Sequence, residues 1–458
     1  MTGPIGDSAA EVLGAGAAGA VRAAAAASVS GVEPGEVVIS TIRRLSGGAS
    51  RHTWMVEVEP GGSMVVQRER NGAVGANLAM AAQADLLRAA GEIGVPVPAV
   101  LGSGATDGSG YVVLEALGGE SVPRRLLRDP GLVAARSGLA EEAGRVLAAI
   151  HAIDPASHPA LGSADPLEQM RSLADALGEP HPAFELGLAW LEEHRPPERS
   201  PVVVHGDFRL GNLLVDPGGL TAVLDWELAH LGSPMEDLGW FCGRAWRFGS
   251  PLRAGGVGGV EELLAGYAEG GGRIPEEAEL RWWEAFGTLR WGLICVLQAS
   301  VHLGGHHRSV ELAAIGRRAA ECEEDLLALV AGPSAYEPPT AHGGGLDGPH
   351  DRPTAFELLE AVSEHLEGVR DASEGAQRFG LRVAGNVVEM VGREVALAGE
   401  TARCRARRLE ELGVRDEAEL AAGIRSGAIN GPSATEVVRE LVRDKLAVSH
   451  PGYWLGDG

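Results

Sequence analysis

Between Gly332 and Pro353 the chain carries Pro333, Pro338, Pro339, Pro349 and Pro353, with Gly343, Gly344, Gly345 and Gly348 among them. Proline removes a backbone donor and fixes φ, and glycine loses much conformational entropy on ordering, so neither a helix nor a central strand can run through this stretch. It reads as a linker dividing the 458-residue chain into a long N-terminal part and a shorter C-terminal part. Hydrophobic residues make up 45% of the chain and aromatic ones 4%. Material for packed cores is therefore ample, but those cores must be largely aliphatic, and a wholly disordered chain is excluded.

The first third of the chain reads as short strands. Glu36–Leu45 and His52–Glu59 predict a hairpin around Ser46-Gly47-Gly48-Ala49-Ser50, and a third strand, Ser63–Arg68, follows the turn at Pro60-Gly61-Gly62. A helix over about Leu78–Ala90 precedes Val95-Pro96-Val97-Pro98 and a strand at Tyr111–Leu117. From Leu139 helical spacing dominates, interrupted at Pro201–Asp225 by two short strands around a loop. Past the linker, Phe356, Leu359 and Val362, then Val383, Val387, Met390 and Val391, recur at helical spacing. The pattern predicts an α+β arrangement of two lobes followed by a separate all-α domain. The expected layout is an N-terminal helix over 1–35, a strand-rich lobe over 36–117, a helical lobe over 118–332, a linker over 333–353 and a helical accessory domain over 354–450.

The formal charge of −24 disfavours nucleic acid and anionic membrane surfaces as partners. Lys445 is the only lysine, so any cation needed earlier must be arginine or histidine. Cys242, Cys295, Cys322 and Cys404 form neither a CxxC pair nor a disulfide framework, which points to a reducing compartment. The Ala/Gly-rich segment from Leu13 to Val29 is preceded by Asp7 and Glu11 and interrupted by Arg22, unlike a signal peptide. No run of about 20 strongly apolar residues occurs. These features together predict a cytoplasmic protein.

Chemistry concentrates in Val202-Val-Val-His-Gly-Asp-Phe-Arg-Leu-Gly-Asn-Leu-Leu-Val-Asp216 and the following Ala222-Val-Leu-Asp-Trp-Glu227. An apolar strand runs into a loop carrying His205, Asp207 and Asn212. A second strand then turns at Pro217-Gly218-Gly219 and returns to Asp225. Phosphoryl transfer from a nucleotide needs a carboxylate beside the acceptor hydroxyl and oxygen ligands for Mg²⁺. One hairpin offers that set, with Asp207 as base and Asn212 and Asp225 as metal ligands. An Asp followed five residues later by Asn is common in ordinary turns. The addition of His205, the flanking strands, Asp225-Trp226-Glu227, Gly232-Ser233-Pro234 and Asp237-Leu238 makes the joint pattern far more specific.

From about Ile42 to Leu329 the sequence resembles the aminoglycoside-phosphotransferase-like small-molecule kinases, relatives of the protein-kinase fold. It is most similar to the subgroup found with acyl-CoA dehydrogenases. The narrower resemblance rests on Leu45-Ser-Gly-Gly-Ala-Ser50, Gly94-Val-Pro-Val-Pro98, Gly118-Gly-Glu120, His151-Ala-Ile-Asp154 and Trp240-Phe-Cys-Gly-Arg-Ala-Trp246. The resemblance implies an ATP- and Mg²⁺-dependent kinase with Asp207 as base, Asn212 and Asp225 on the metal, and His205, Glu227 and Asp237 in support. It places Ser46, Gly47, Gly48, Ala49 and Ser50 over the phosphates and Glu115, Ala116 and Leu117 at an inter-lobe hinge against adenine. It implies a hydroxyacyl-CoA acceptor, a 4-hydroxyacyl thioester, and a functional link to an acyl-CoA dehydrogenase. The competing readings are an antibiotic kinase of the aminoglycoside type and a nucleotide-binding pseudokinase.

The pseudokinase reading has a concrete motive. Such kinases hold the phosphates with a third-strand cation paired to a Glu on the next helix. Here that strand reads Met64-Val-Val-Gln-Arg68 and the helix offers Gln83 in support, so Arg68 is the expected cation at the phosphates, with Gln67 facing them instead if the register shifts by one residue. Arg244, Arg247 and Arg290 are candidate partners for an anionic acceptor such as coenzyme A. The C-terminal segment resembles a small uncharacterised helical domain found fused to, or encoded beside, kinases of this subgroup.

Overall fold

The structure is a computed structural model that describes residues 8–45, 51–69, 78–334, 353 and 355–453 of the chain. The loop Ser46–Ser50 and most of the Pro/Gly linker lie outside these residues. The described chain divides into two compact units, Met1–Ala164 with Glu198–Leu280, and Asp165–Pro197 with Arg281–Gly458.

The first unit opens with α1 (Ser8–Leu13) and α2 (Ala15–Ser28), followed by β1 (Val38–Arg44), β2 (Arg51–Glu59) and β3 (Gly62–Glu69). After α3 (Met80–Glu92) come β4 (Val100–Thr106) and β5 (Ser109–Glu115). The strands form one antiparallel sheet in the order β1-β2-β3-β5-β4. The N-terminal helix predicted as one piece is two, broken at Gly14, whose φ of 84° lies in the left-handed region. The alanines of α2 explain its placement. Ala17, Ala18, Val21 and Ala25 are small enough to lie close on the sheet, burying Trp54, Val56, Met64, Val66, Tyr111 and Val113.

The rest of this unit is helical around two small hairpins. It comprises α4 (Pro123–Arg128), α5 (Val133–His151), α8 (Pro234–Cys242) and α9 (Val260–Glu269), with β6 (Val202–Val204), β7 (Leu213–Asp216), β8 (Gly219–Val223) and β9 (His230–Gly232). Strand β6 pairs with β9, and β7 with β8. Helices α5 and α9 cross backbone to backbone. A Cβ at Gly144 would collide with the Leu263 carbonyl, and one at Gly266 with the Glu141 carbonyl. The strand-rich lobe and its helical partner make this a kinase-like fold.

The second unit contains α6 (Pro166–Leu177), α7 (Pro182–Glu193), α10 (Glu277–Leu303, from Arg281 onward), α11 (Val310–Gly316) and α12 (Ala319–Ala331). The helical C-terminal region adds α13 (Ala355–Asp371), α14 (Gly375–Glu411), α15 (Glu417–Arg425) and α16 (Pro432–Ser449). Ala183 of α7 and Ala320 and Leu327 of α12 share a core with Leu409, Leu420, Ile424, Val438, Leu441 and Leu446. Buried Glu323 ties these elements together: Lys445 Nζ lies 3.1 Å from Oε1, and His181 Nδ1 lies 2.9 Å from the same oxygen. Burial alone would raise this carboxyl, but the charge of Lys445 and the His181 contact bring it down to about 2. The chain's one lysine thus serves packing between helices.

Among the described residues no helix is long and apolar enough to cross a membrane.

Candidate active site

The loop after β6 is built on a buried carboxylate. Asp237, fully buried in the first turns of α8, accepts the His205 N–H at 2.7 Å, the Gly206 N–H at 2.9 Å and a bond from His151 Nε2 at 3.2 Å. His151 Nδ1 lies 2.9 Å from the Tyr267 hydroxyl. Burial opposes ionisation of Asp237, yet the His151 bond and charge and the His205 contacts hold its carboxyl below the ordinary range. Gly206 sits at φ 78°, with the Leu228 carbonyl where a Cβ would stand, so only glycine serves here.

His205, also fully buried, is oriented from both sides of its ring. Nδ1 accepts the Asp207 N–H at 3.2 Å, which leaves Nε2 to donate to the Leu224 carbonyl at 3.0 Å. Burial keeps its pKa below the usual histidine value, consistent with the neutral ring that this pattern requires. Leu224 in turn donates its N–H to the Asn212 carbonyl at 2.8 Å, so His205 fastens the two sides of the hairpin.

Asp207 stands at the centre. Asn212 Nδ2 donates to its Oδ2 at 2.7 Å, Trp240 Nε1 to its Oδ1 at 3.0 Å, and Arg209 Nε to both oxygens at 3.0 and 3.1 Å. Arg209 lies over the Trp246 ring, 4.9 Å from its centroid, and Trp246 packs against Trp240. The Trp240–Trp246 segment singled out in the sequence thus forms an aromatic wall beside the carboxylate.

Asp225 follows β8 in the left-handed region, φ 62°, a conformation that costs energy for a non-glycine residue and that Asp tolerates better than most. Burial and the nearby charge of Glu227 push its carboxyl up to about 6, with Arg51 acting against them. Arg51, at the start of β2, is 6% exposed; its Nη1 lies 3.8 Å from Asp225 Oδ1 and its Nη2 3.0 Å from Glu227 Oε2. Asp207, Asn212, Asp225, Glu227 and Asp237 therefore do gather around one hairpin and the helix behind it.

The register of the sheet settles the third-strand question. Arg68 pairs with His52 and Tyr111, on the face of Trp54, Val66 and Val113 that α2 covers, and its Nη2 lies 3.7 Å from Asp107. Gln67 pairs with Thr53 and Val112, on the face shared by Arg51 and Glu69. The expectation of Arg68 beside the phosphates is therefore corrected: strand alternation turns it to the wrong side. Gln83 is buried with its amide bonded to the Leu78 carbonyl, a local bond in place of a charge pair. Instead Glu69 caps α3, accepting the Met80 N–H at 3.0 Å, and the Leu78 N–H donates to the Glu227 carbonyl at 2.8 Å.

The other candidates are placed as follows. Glu115 ends β5 exposed, with its N–H on the Ala99 carbonyl, and Ala116 and Leu117 lead on to Glu120, which pairs with Val215. Arg247 directs Nε and Nη2 to the Cys242 carbonyl at 3.0 and 2.7 Å, closing the turn after α8, and Arg244 is half-buried in the same turn. Arg290 belongs to the second unit. Ser46, Gly47, Gly48, Ala49 and Ser50 lie outside the described residues. Arg51 and Arg209 are the site residues that sequence reasoning missed, and Trp240 was quoted in a motif without a role at the carboxylate. The signal for Arg209 was its position two residues after Asp207.

The sequence profile of the phosphotransferase enzyme family matches residues 41–283, more than half of the chain. The chain belongs to this family. A second profile, a domain of unknown function (DUF6285), matches residues 371–453 of the phosphotransferase. A crystal structure of a candidate aminoglycoside phosphotransferase from Ralstonia eutropha superposes with a TM-score of 0.54 at 25% identity, covering 68% of this chain and 97% of that one. Acyl-CoA dehydrogenase family member 10 of Mus musculus is 30% identical over 174 residues, 34% of this chain and 16% of that protein. The probable acyl-CoA dehydrogenase IBR3 of Arabidopsis thaliana is 30% identical over 233 residues, 43% of this chain and 27% of that protein. The match thus spans about a quarter or less of these relatives' length.

Proposed function

We propose that this phosphotransferase moves the γ-phosphoryl group of Mg-ATP to a hydroxyl of a small molecule, with Asp207 as the base that orients the hydroxyl and takes its proton. The observation that carries the reading is the Asp207 carboxylate. It is fixed by Asn212, Trp240 and Arg209 at the mouth of a loop whose backbone Asp237 immobilises. Positioning of this kind is the main contribution a protein can make to phosphoryl transfer.

The donor set suits Mg²⁺. Asn212 Nδ2 is engaged by the Asp207 carbonyl and carboxylate, leaving Oδ1 as its oxygen ligand, and Asp225 adds a carboxylate. Among the described residues no group of three or more His, Cys, Asp or Glu could hold a metal. That agrees with an ion taken up through one or two protein oxygens together with phosphate. Bound there, Mg²⁺ would offset the negative charge that develops during transfer. The chain's own residues bind and orient: Asp225 and Asn212 hold the metal, Glu227 positions the turn, and His205 keeps Asn212 and Asp207 in register. Glu115, Ala116 and Leu117 make the hinge beside adenine.

For the acceptor we propose a hydroxyacyl-CoA. Its support is the similarity to two proteins named as acyl-CoA dehydrogenases. Phosphorylating a poor leaving group such as hydroxide suits it to later elimination. The test is ADP release from Mg-ATP with 4-hydroxyacyl-CoAs of graded chain length, with aminoglycosides as a second panel. Acceptor-dependent ADP with the thioesters supports the reading. ADP only with the aminoglycosides moves the acceptor class, and nucleotide binding with no turnover on either panel establishes a pseudokinase.

A further inference from the structure

We propose that Arg51 is the cation that receives the nucleotide phosphates, in the role that the third strand leaves empty. The inference rests on the nucleotide reading above and goes beyond it in naming the residue and its exchange of partners.

Three observations lead there. First, the face of the sheet opposite α2 presents Arg51, Thr53 and Met55 from β2 and Val65, Gln67 and Glu69 from β3, with Val112 and Leu114 from β5. The basic side chains of this face are Arg51 and, on the edge strand β1, Arg43 opposite Met55; of the two only Arg51 lies against Asp225 and Glu227, and Arg68 points away. Second, Arg51 is held where the metal and phosphates would meet, within ion-pair distance of both Asp225 and Glu227. Third, one of its donors is incompletely bonded. The side chain is more than nine-tenths buried, and Nη2, though 3.0 Å from Glu227 Oε2, makes no hydrogen bond of proper geometry.

A buried guanidinium donor that an ion pair leaves without a well-aligned acceptor gains from an oxygen that can align with it. Its planar fork matches phosphate oxygens in pairs, which a lysine ammonium cannot do. Arg51 lies against both carboxylates and offsets their charge. With Asp225 and Glu227 engaged by a divalent cation, Arg51 would be free to turn toward phosphate from the same face of the sheet.

The experiment is titration calorimetry of the full chain with ADP and with adenosine, each with and without Mg²⁺, alongside melting curves. Variants are Arg51→Ala, Arg51→Lys and Arg68→Ala. We expect Arg51→Ala to lose about ten- to a hundredfold in Mg-ADP affinity while adenosine affinity stays within about twofold. Arg51→Lys should recover part of the loss, and Arg68→Ala should bind Mg-ADP like the parent. Equal losses for ADP and adenosine, in step with a lowered melting temperature, would make Arg51 a structural pin and overturn the proposal. So would Mg-ADP affinity that Arg51→Ala leaves unchanged, or that Arg68→Ala abolishes. A parent chain that binds neither ligand would defeat the nucleotide reading itself, and this inference with it.

Discussion

Replacing Asp237 by Asn tests how the site is held. The carboxylate takes three donors, the N–H groups of His205 and Gly206 and the Nε2 of His151, with no access to water. An amide keeps the shape but places an NH₂ against at least one of those donors, and it removes the charge that strengthens all three bonds. Breaking a buried charged network in this way costs about 3–5 kcal/mol, of which a charge-assisted bond supplies roughly 1.5–3 kcal/mol. For a unit of this size each kcal/mol shifts the melting temperature by about 2–4 °C, so the expected drop is about 6–20 °C. Scanning calorimetry reads it directly. Turnover at a temperature where the variant is still folded should also fall, because His205 and Gly206 are the two residues that deliver Asp207. A shift below about 3 °C would refute the argument that Asp237 immobilises the loop.

Further outcomes follow from the packing. Gly144→Ala puts a methyl against the Leu263 carbonyl at the α5–α9 crossing and should destabilise by about 1–3 kcal/mol, seen as a lower denaturant midpoint with an unchanged slope. Glu323 titrates near 2 in the fold against 4.5 for the free side chain, so its contribution is complete at neutral pH and is lost as the pH falls toward 2. Glu323→Gln should therefore melt lower at pH 7 but lose less further stability between pH 6 and 3 than the parent.

Much of the fold was legible because local signals agreed with it. Turn residues bracketed β1–β3, and the apolar triplet Val202–Val204 read directly as β6. The chemistry of the 202–227 segment was legible for the same reason: its spacing is short-range, and one hairpin brings its residues together. What escaped is non-local. Strand β4 holds Gly102 and Gly104, which give no alternating signal; at Gly104 the Tyr111 ring occupies the space a Cβ would take. The register of β3 could not be read from Gln67 and Arg68 alone, since the face that α2 covers is set by packing far along the chain. Arg51 gave no motif at all. Its partners, Asp225 and Glu227, lie more than 170 positions away and meet it only through the fold. The shared core of α7, α12 and the C-terminal helices was hidden in the same way, because the linker between them looks like a boundary.

In this mechanism Asp207 serves the acceptor while Asp225 serves the metal. The direct measurement compares Asp207→Asn with Asp225→Asn for Mg-ATP affinity and for phosphoryl transfer to the acceptor, with melting temperature alongside. Asp207→Asn should bind Mg-ATP nearly as the parent does while transfer falls by about 10²–10⁴. Asp225→Asn should lose both metal-dependent affinity and transfer. Asp225→Asn binding Mg-ATP as tightly as the parent, or both variants merely melting earlier with no separation of binding from transfer, would contradict it.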